Sequence, residues 1–188
     1  MKKERNSVNA FAKDCIATAF FKLMKEKEYE DITITDIAKK AGVSRVTYYR
    51  NYNSKEDIIT QYMDQLGCQF EEQTKHLDII KDTRTFIVSF LQHWLKQEEF
   101  LLSLLQANRT NIMLEHINKS IKKNTTTAMQ KYEACHYLGS MHNILFEWIK
   151  GGKKESPEEM ADIICMLYHV PIPPPLIEKK ALNAPKKR

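Results

Sequence analysis

Thr33-Ile34-Thr35-Asp36-Ile37-Ala38-Lys39-Lys40-Ala41-Gly42-Val43-Ser44-Arg45-Val46-Thr47-Tyr48-Tyr49-Arg50-Asn51-Tyr52-Asn53-Ser54-Lys55 is the stretch that decides how this chain reads. Thr33 and Asp36 have capping-box spacing, so hydroxyl and carboxylate can each satisfy an orphan backbone N–H. They open a short helix through Ile37 and Ala38 to about Lys40. Ala41-Gly42-Val43 is a turn, where glycine enters the left-handed conformation without a Cβ penalty. Ser44 caps a second short helix, and Ser54-Lys55-Glu56-Asp57 opens a longer one with Ile58, Ile59, Met63, Leu66 and Phe70 on its apolar stripe. Two short capped helices around a tight turn spell a helix-turn-helix.

On the second short helix, Tyr48 and Tyr52 are four residues apart and share a face. Val46, Tyr49 and Arg50 project from roughly the opposite side. An ordinary solvated face would mix Lys with Glu, yet no carboxylate occurs from residue 44 to 53. Such a surface suits phosphates and base edges. Arginine can bind guanine bidentately, hydroxyls and Asn can donate to phosphates or bases, and acids would be repelled.

The pattern Ile34-x-x-Ile37-Ala38-x-x-Ala41-Gly42-Val43-Ser44-Arg45-x-Thr47-x-Tyr49-x-x-Tyr52-x-Ser54-Lys55-Glu56 resembles the DNA-binding signature of tetracycline-repressor (TetR) family regulators. The resemblance covers the first sixty or so residues. It implies that Thr33, Ser44, Tyr49 and Lys55 hold phosphates, and that Arg45, Val46, Thr47 and Arg50 face or border the bases. Asn51 joins this DNA-facing set. Arg45 is either a base reader or a further phosphate contact. Val46 stands where many members carry a small residue, and Asn51 where they often carry Tyr or His; both bear on base preference.

Outward from this window the chain reads as helix nearly throughout, with few glycines and no alternating β-branched runs. The fold class expected is all-α, with about nine helices. A three-helix DNA-binding domain would span residues 1–60, and a helical effector-sensing and dimerisation domain residues 61–170. A Pro-rich basic tail, residues 171–188, reads as extended or flexible. The first helix is expected to start near Ser7 and to bury Ile16, Ala17, Phe20, Phe21 and Met24. Later helices are expected near Asp82–Lys96, Glu98–Ala107, Asn111–Lys123 and Thr126–Lys150. A last helix starts at Ser156-Pro157-Glu158-Glu159, where cap, N1 proline and acidic first turn coincide.

Charge is segregated. Residues 1–60 carry 12 Lys/Arg against 9 Asp/Glu, residues 61–169 carry 12 against 14, and residues 170–188 carry 5 against 1. Basic ends and a slightly acidic middle suit a polyanion at one end of the molecule. No apolar run approaches the roughly 18–20 residues needed to span a bilayer. The basic start lacks the apolar core of a signal peptide, so a cytoplasmic location is expected. Cys15, Cys68, Cys135 and Cys165 never form Cys-x-x-Cys and read as reduced, mostly buried small hydrophobes.

The second half offers coarser signals. Trp148-x-x-Gly151 followed by Ser156-Pro157-Glu158-Glu159-Met160 resembles the last two helices of many TetR relatives, which pair across a homodimer as a four-helix bundle. That resemblance assigns Leu138, Met141, Leu145, Trp148, Met160, Ile163, Ile164 and Leu167 to a dimer interface. Read from the residues alone, the same stripe is an intrachain core. An effector pocket for a small apolar or cationic molecule has Phe90, Trp94, Leu101, Leu104, Met113, Tyr132 and His136 as candidate lining; each is equally at home in an ordinary core. Cys165 and His169 at i, i+4 and the neighbours Cys135 and His136 do not complete a metal-ligand set, so no metal or other cofactor is expected. Walker A, dinucleotide, nucleophile-elbow and zinc-protease motifs are all missing, which argues against an enzyme. The expected function is a DNA-binding transcriptional regulator that binds a palindromic operator in double-stranded DNA as a dimer. Relief of repression by ligand is what the family implies, with activation the other possibility. The rival is an interaction protein whose second domain binds a partner protein instead of a small effector.

Overall fold

A computed structural model describes the backbone of residues 2–168 and the side chains of residues 9–168. The tail at 171–188 and His169, candidate partner of Cys165, lie outside the described residues. Among the described residues there are nine α-helices, one 3-10 turn and no strand, in the order α1 (Lys2–Glu26), the turn Tyr29–Asp31, α2 (Ile34–Ala41), α3 (Arg45–Asn51), α4 (Lys55–Thr74), α5 (Thr83–Leu95), α6 (Glu98–Gln106), α7 (Thr110–Asn124), α8 (Ala128–Lys150) and α9 (Pro157–Leu167). α1 begins five residues before Ser7, since nothing in Lys2–Asn6 breaks a helix.

The capping chemistry is realised bond by bond. Thr33 Oγ1 accepts from the Asp36 N–H at 3.1 Å, and the Asp36 carboxylate accepts from the Thr33 N–H at 3.1 Å and its hydroxyl at 2.8 Å. These bonds from Thr33, with Lys27 alongside, hold the Asp36 carboxyl down at about 2. Gly42 closes α2 at φ 67°, with the Val43 N–H reaching back to Ala38 O at 3.0 Å. Ser44 and Ser54 cap α3 and α4 by accepting from the N–H groups of Thr47 and Asp57. Each cap satisfies a donor that the helix start would otherwise leave open.

α1 buries Ile16, Ala17, Phe20, Phe21 and Met24 as its spacing predicts, against Ile37, Tyr48, Tyr52, Ile58 and Ile59. Phe21 of α1, Tyr62 of α4 and Phe100 of α6 form a triangle of rings with centroids 4.9–5.0 Å apart. One core therefore runs from the helix-turn-helix into the second half. α4 is shared by both, carrying Ile58 at its start and Leu66 further along.

In the second half α9 lies on α5, α7 packs between α4 and α8, and the C-terminal half of α8 packs on α6 and α7. The expected dimer set divides. Leu145, Trp148, Met160 and Ile164 are buried within their own chain, Met141 and Ile163 partly so, and Leu138 and Leu167 are exposed. The expected pocket set divides too. Trp94, Leu101, Leu104 and Met113 are buried and Phe90 is half-buried, whereas Tyr132 (66% exposed) and His136 sit on the first half of α8, which is exposed almost all round. Those seven side chains do not share one lining, because Tyr132 and His136 lie on the largely uncovered first half of α8 while the other five belong to the core of the second half. Of the cysteines only Cys165 is buried, and burial pushes its thiol up; Cys68 and Cys135 are exposed, being on outer faces of α4 and α8. Among the described residues no helix is long and apolar enough to cross a membrane.

Candidate nucleic-acid interface

α3 is seven residues long and is held as a helix by its cap and its inner face. Tyr48 is fully buried and Tyr52 nearly so, and burial drives both phenols upward, Tyr48 to about 12. The Tyr48 ring meets Tyr49 edge-on at 5.5 Å, which steadies a residue that is itself 52% exposed. With two aromatic anchors inward, the helix presents Arg45, Val46, Tyr49 and Arg50 together on one open face. Neither arginine has an ion-pair partner among the described residues. Val46 is 67% exposed, an apolar group displayed between cations. Thr47 is half-buried, and its hydroxyl lies 2.9 Å from the Ser44 hydroxyl, so these two form the cap end of the face.

Three other expected residues are placed differently. Thr33 is exposed at the start of α2, but its hydroxyl belongs to the capping box. Asn51 is buried: its Nδ2 donates to Thr47 O at 2.8 Å, and Gln61 Nε2 donates to its main-chain oxygen at 3.1 Å. Asn51 follows Tyr48 by three residues and so belongs to the inward stripe. That corrects its expected place on the DNA-facing side, and the spacing already carried the signal. Lys55 is half-buried, with Nζ donating to Tyr29 O at 2.5 Å and lying 4.4 Å from the Tyr29 ring centroid.

Tyr29 is a junction that the sequence did not flag. Its hydroxyl donates to Glu56 Oε1 at 2.7 Å, and Arg109, from the α6–α7 connection, lies 4.8 Å from the same ring while pairing with Glu30. Burial, and then the bond to Glu56, raise the Tyr29 phenol, so it stays a donor. Burial alone would raise the Glu56 carboxyl, but this bond and its neighbours bring it below its ordinary value. Arg109 follows Asn108, which adopts a left-handed φ of 53°. Asn108 in turn lines a cleft of about 460 Å³ with Leu105, His142, Phe146 and Lys150 between that connection and α8.

Residues 16–62 match the family model described as bacterial regulatory proteins, tetR family, and residues 71–169 match that of a transcriptional regulator C-terminal region. The chain is 26% identical over 170 residues to the HTH-type transcriptional regulator YxbF of Bacillus subtilis (strain 168), covering 79% of this chain and 42% of that protein. It therefore spans less than half the length of that relative. Among solved structures it resembles the fatty acid degradation regulator FadR from Bacillus halodurans (TM-score 0.55, 16% identity, 83% of this chain and 93% of that one). It also resembles FadR from Bacillus subtilis, solved in complex with stearoyl-CoA (TM-score 0.54, 16% identity, 81% and 95%). At these identities the two structures speak for the fold.

Proposed function

The chain belongs to the TetR family of bacterial transcriptional regulators, and from that premise we propose that it binds operator DNA as a homodimer, laying one α3 in the major groove of each half-site. The observation that carries the reading is the open, acid-free face of α3, with Arg45, Val46, Tyr49 and Arg50 side by side. Tyr49 suits a phosphate, Arg50 a phosphate as well as the bordering base edge that the family resemblance implies for it, and Arg45 suits a guanine edge. Val46 suits a thymine methyl, the apolar feature of the major groove. A two-fold dimer reads a palindrome with half-sites one helical turn apart.

The exposed Leu138, Met166 and Leu167 favour a second copy against α8 and α9. Repression relieved by a small effector is the mode proposed. The cleft beside Asn108 has the volume of a small-molecule site, and a neighbour of the same fold carries stearoyl-CoA. A second reading, a regulator that answers to a partner protein, is favoured by Met129 and Tyr132, which stand free on the first half of α8.

Selection from random duplexes tests the first reading. A palindromic consensus bound by a dimer supports it, and recovery of no preferred sequence sinks it. Effectors that weaken binding to that consensus would then support relief by ligand, since a ligand shifts only the state it binds more tightly.

A further inference from the structure

We infer that Arg109, on the α6–α7 connection, is a positioning residue for DNA binding that acts through Tyr29 on Lys55. The inference rests on the DNA-binding reading above.

Lys55 opens α4 directly after α3, and its ammonium has two possible seats. The inner seat is the one occupied, on the Tyr29 carbonyl at 2.5 Å and beside the Tyr29 ring. The outer seat is a DNA phosphate, which the half-exposed side chain can reach by rotating its flexible stem. Arg109 presses a second cation on the same ring, with centroid distances of 4.8 Å for the guanidinium and 4.4 Å for the ammonium. The two cations on one ring repel, an effect that the Glu30 carboxylate on Arg109 reduces, and the more flexible lysine is the one free to move away. Arg109 itself is held by Glu30, and the Tyr29 hydroxyl by Glu56, so the ring and the guanidinium keep their places.

The sign follows. With Arg109 docked, the inner seat is weakened and Lys55 moves to phosphate readily. With Arg109 withdrawn, Tyr29 holds Lys55 more firmly in the seat it already occupies, and Lys55 gives that seat up to phosphate less readily. Asn108, the residue before Arg109, lines the cleft beside α8, so a molecule bound there would act on Lys55 by displacing Arg109 from the Tyr29 ring.

The test is a double-mutant cycle on the full-length protein, with the selected duplex and a salt titration. Arg109→Gln should flatten the slope of log affinity against log salt by about 0.9 per protomer, the value of one phosphate contact. Between 50 and 200 mM salt that is roughly a 3.5-fold smaller loss of affinity per protomer. Lys55→Ala should flatten it equally, the double variant should be no flatter than Lys55→Ala, and Arg109→Lys should restore the wild-type slope. Thermal melting identifies any variant that fails to fold, and Arg109→Lys provides a second reading at the same position. Equal effects of Arg109→Gln in the presence and absence of Lys55 would overturn the inference, since a mere change of net charge acts in both backgrounds. An unchanged slope for Lys55→Ala would overturn it while leaving DNA binding by α3 intact. Absence of any preferred duplex for the wild type would remove both the inference and the reading beneath it.

Discussion

Arg84 Nε donates to Asp162 Oδ1 at 2.8 Å, and the carboxylate is only 2% exposed. This contact seats α9 on α5 and so decides which side of α9 remains outside. Arg84→Met should strand a buried carboxylate and lower stability by about 3 kcal/mol, as removal of one member of a buried pair does. Adding Asp162→Leu should recover most of the loss, because the charge that lacked a partner is then gone. Urea unfolding of the two variants checks this, and a double variant as weak as the single one would contradict it.

With α9 held in this orientation, Ile164 points inward and Leu167 outward. Glutamate at Ile164 should therefore unfold the chain, because a buried unpaired carboxylate is costly wherever it lies. Leu138→Glu with Leu167→Glu should instead leave helix content and melting temperature of the monomer largely intact and yield monomers in sedimentation. A fully dimeric, well-folded double variant would move the interface elsewhere.

The face of α3 predicts a separation of roles. Tyr49→Ala and Arg50→Ala should weaken specific and non-specific duplexes alike, and Arg50→Ala, which removes a cation, should also flatten the salt dependence. Arg45→Ala should also change the selected consensus, at about 1–3 kcal/mol if it reads a guanine. Asn51→Ala should leave the consensus alone and cost about 1 kcal/mol of stability, since its amide serves Thr47 O inside the domain. Selected-site profiles single out Arg45, and affinity measurements beside thermal melts separate Tyr49 and Arg50 from Asn51.

His93 predicts a pH response. It is buried on α5 beside Phe70 and Trp94, with Nδ1 3.2 Å from Gln73 Oε1, while Nε2 has no partner among the described residues. Burial first, and then Lys96, lower its folded pKa below the ordinary 6.5, outweighing the Leu66 main chain, which favours the charged ring. The unfolded chain thus takes up a proton that the folded chain resists, so stability is full above about 6.5 and falls as pH drops through the lower folded value. His93→Phe should flatten the decline in melting temperature between about pH 7 and 5, before the carboxylates begin to titrate. A decline as steep as in the wild type would assign it to another group.

The local parts of this protein were legible because their causes are local. The capping box at Thr33 and Asp36, the left-handed Gly42, the caps at Ser44, Ser54 and Ser156, and the shared face of Tyr48 and Tyr52 follow from spacing and side-chain chemistry within a turn or two. The same spacing rule places Asn51 inward, three residues after Tyr48. The long-range parts have no local cause. Nothing near Arg109 in the chain announces Glu30 or Tyr29, 79 and 80 positions earlier, and nothing near Lys55 says that its ammonium turns back to a carbonyl rather than outward. Apolar spacing marked Leu138, Ile164, Tyr132 and Trp94 alike as wanting burial, but burial depends on which helix arrives to cover a given face. α5 covers Ile164, and no helix among the described residues covers Tyr132. Sequence alone determined the helices, the ends that carry a side-chain cap and the acid-free composition of the α3 segment, because each is set by interactions a few residues apart. Tertiary structure alone decided which apolar stripes stay open and which charges meet across the two halves, because a side chain cannot record in its own neighbourhood what the rest of the chain will bring against it.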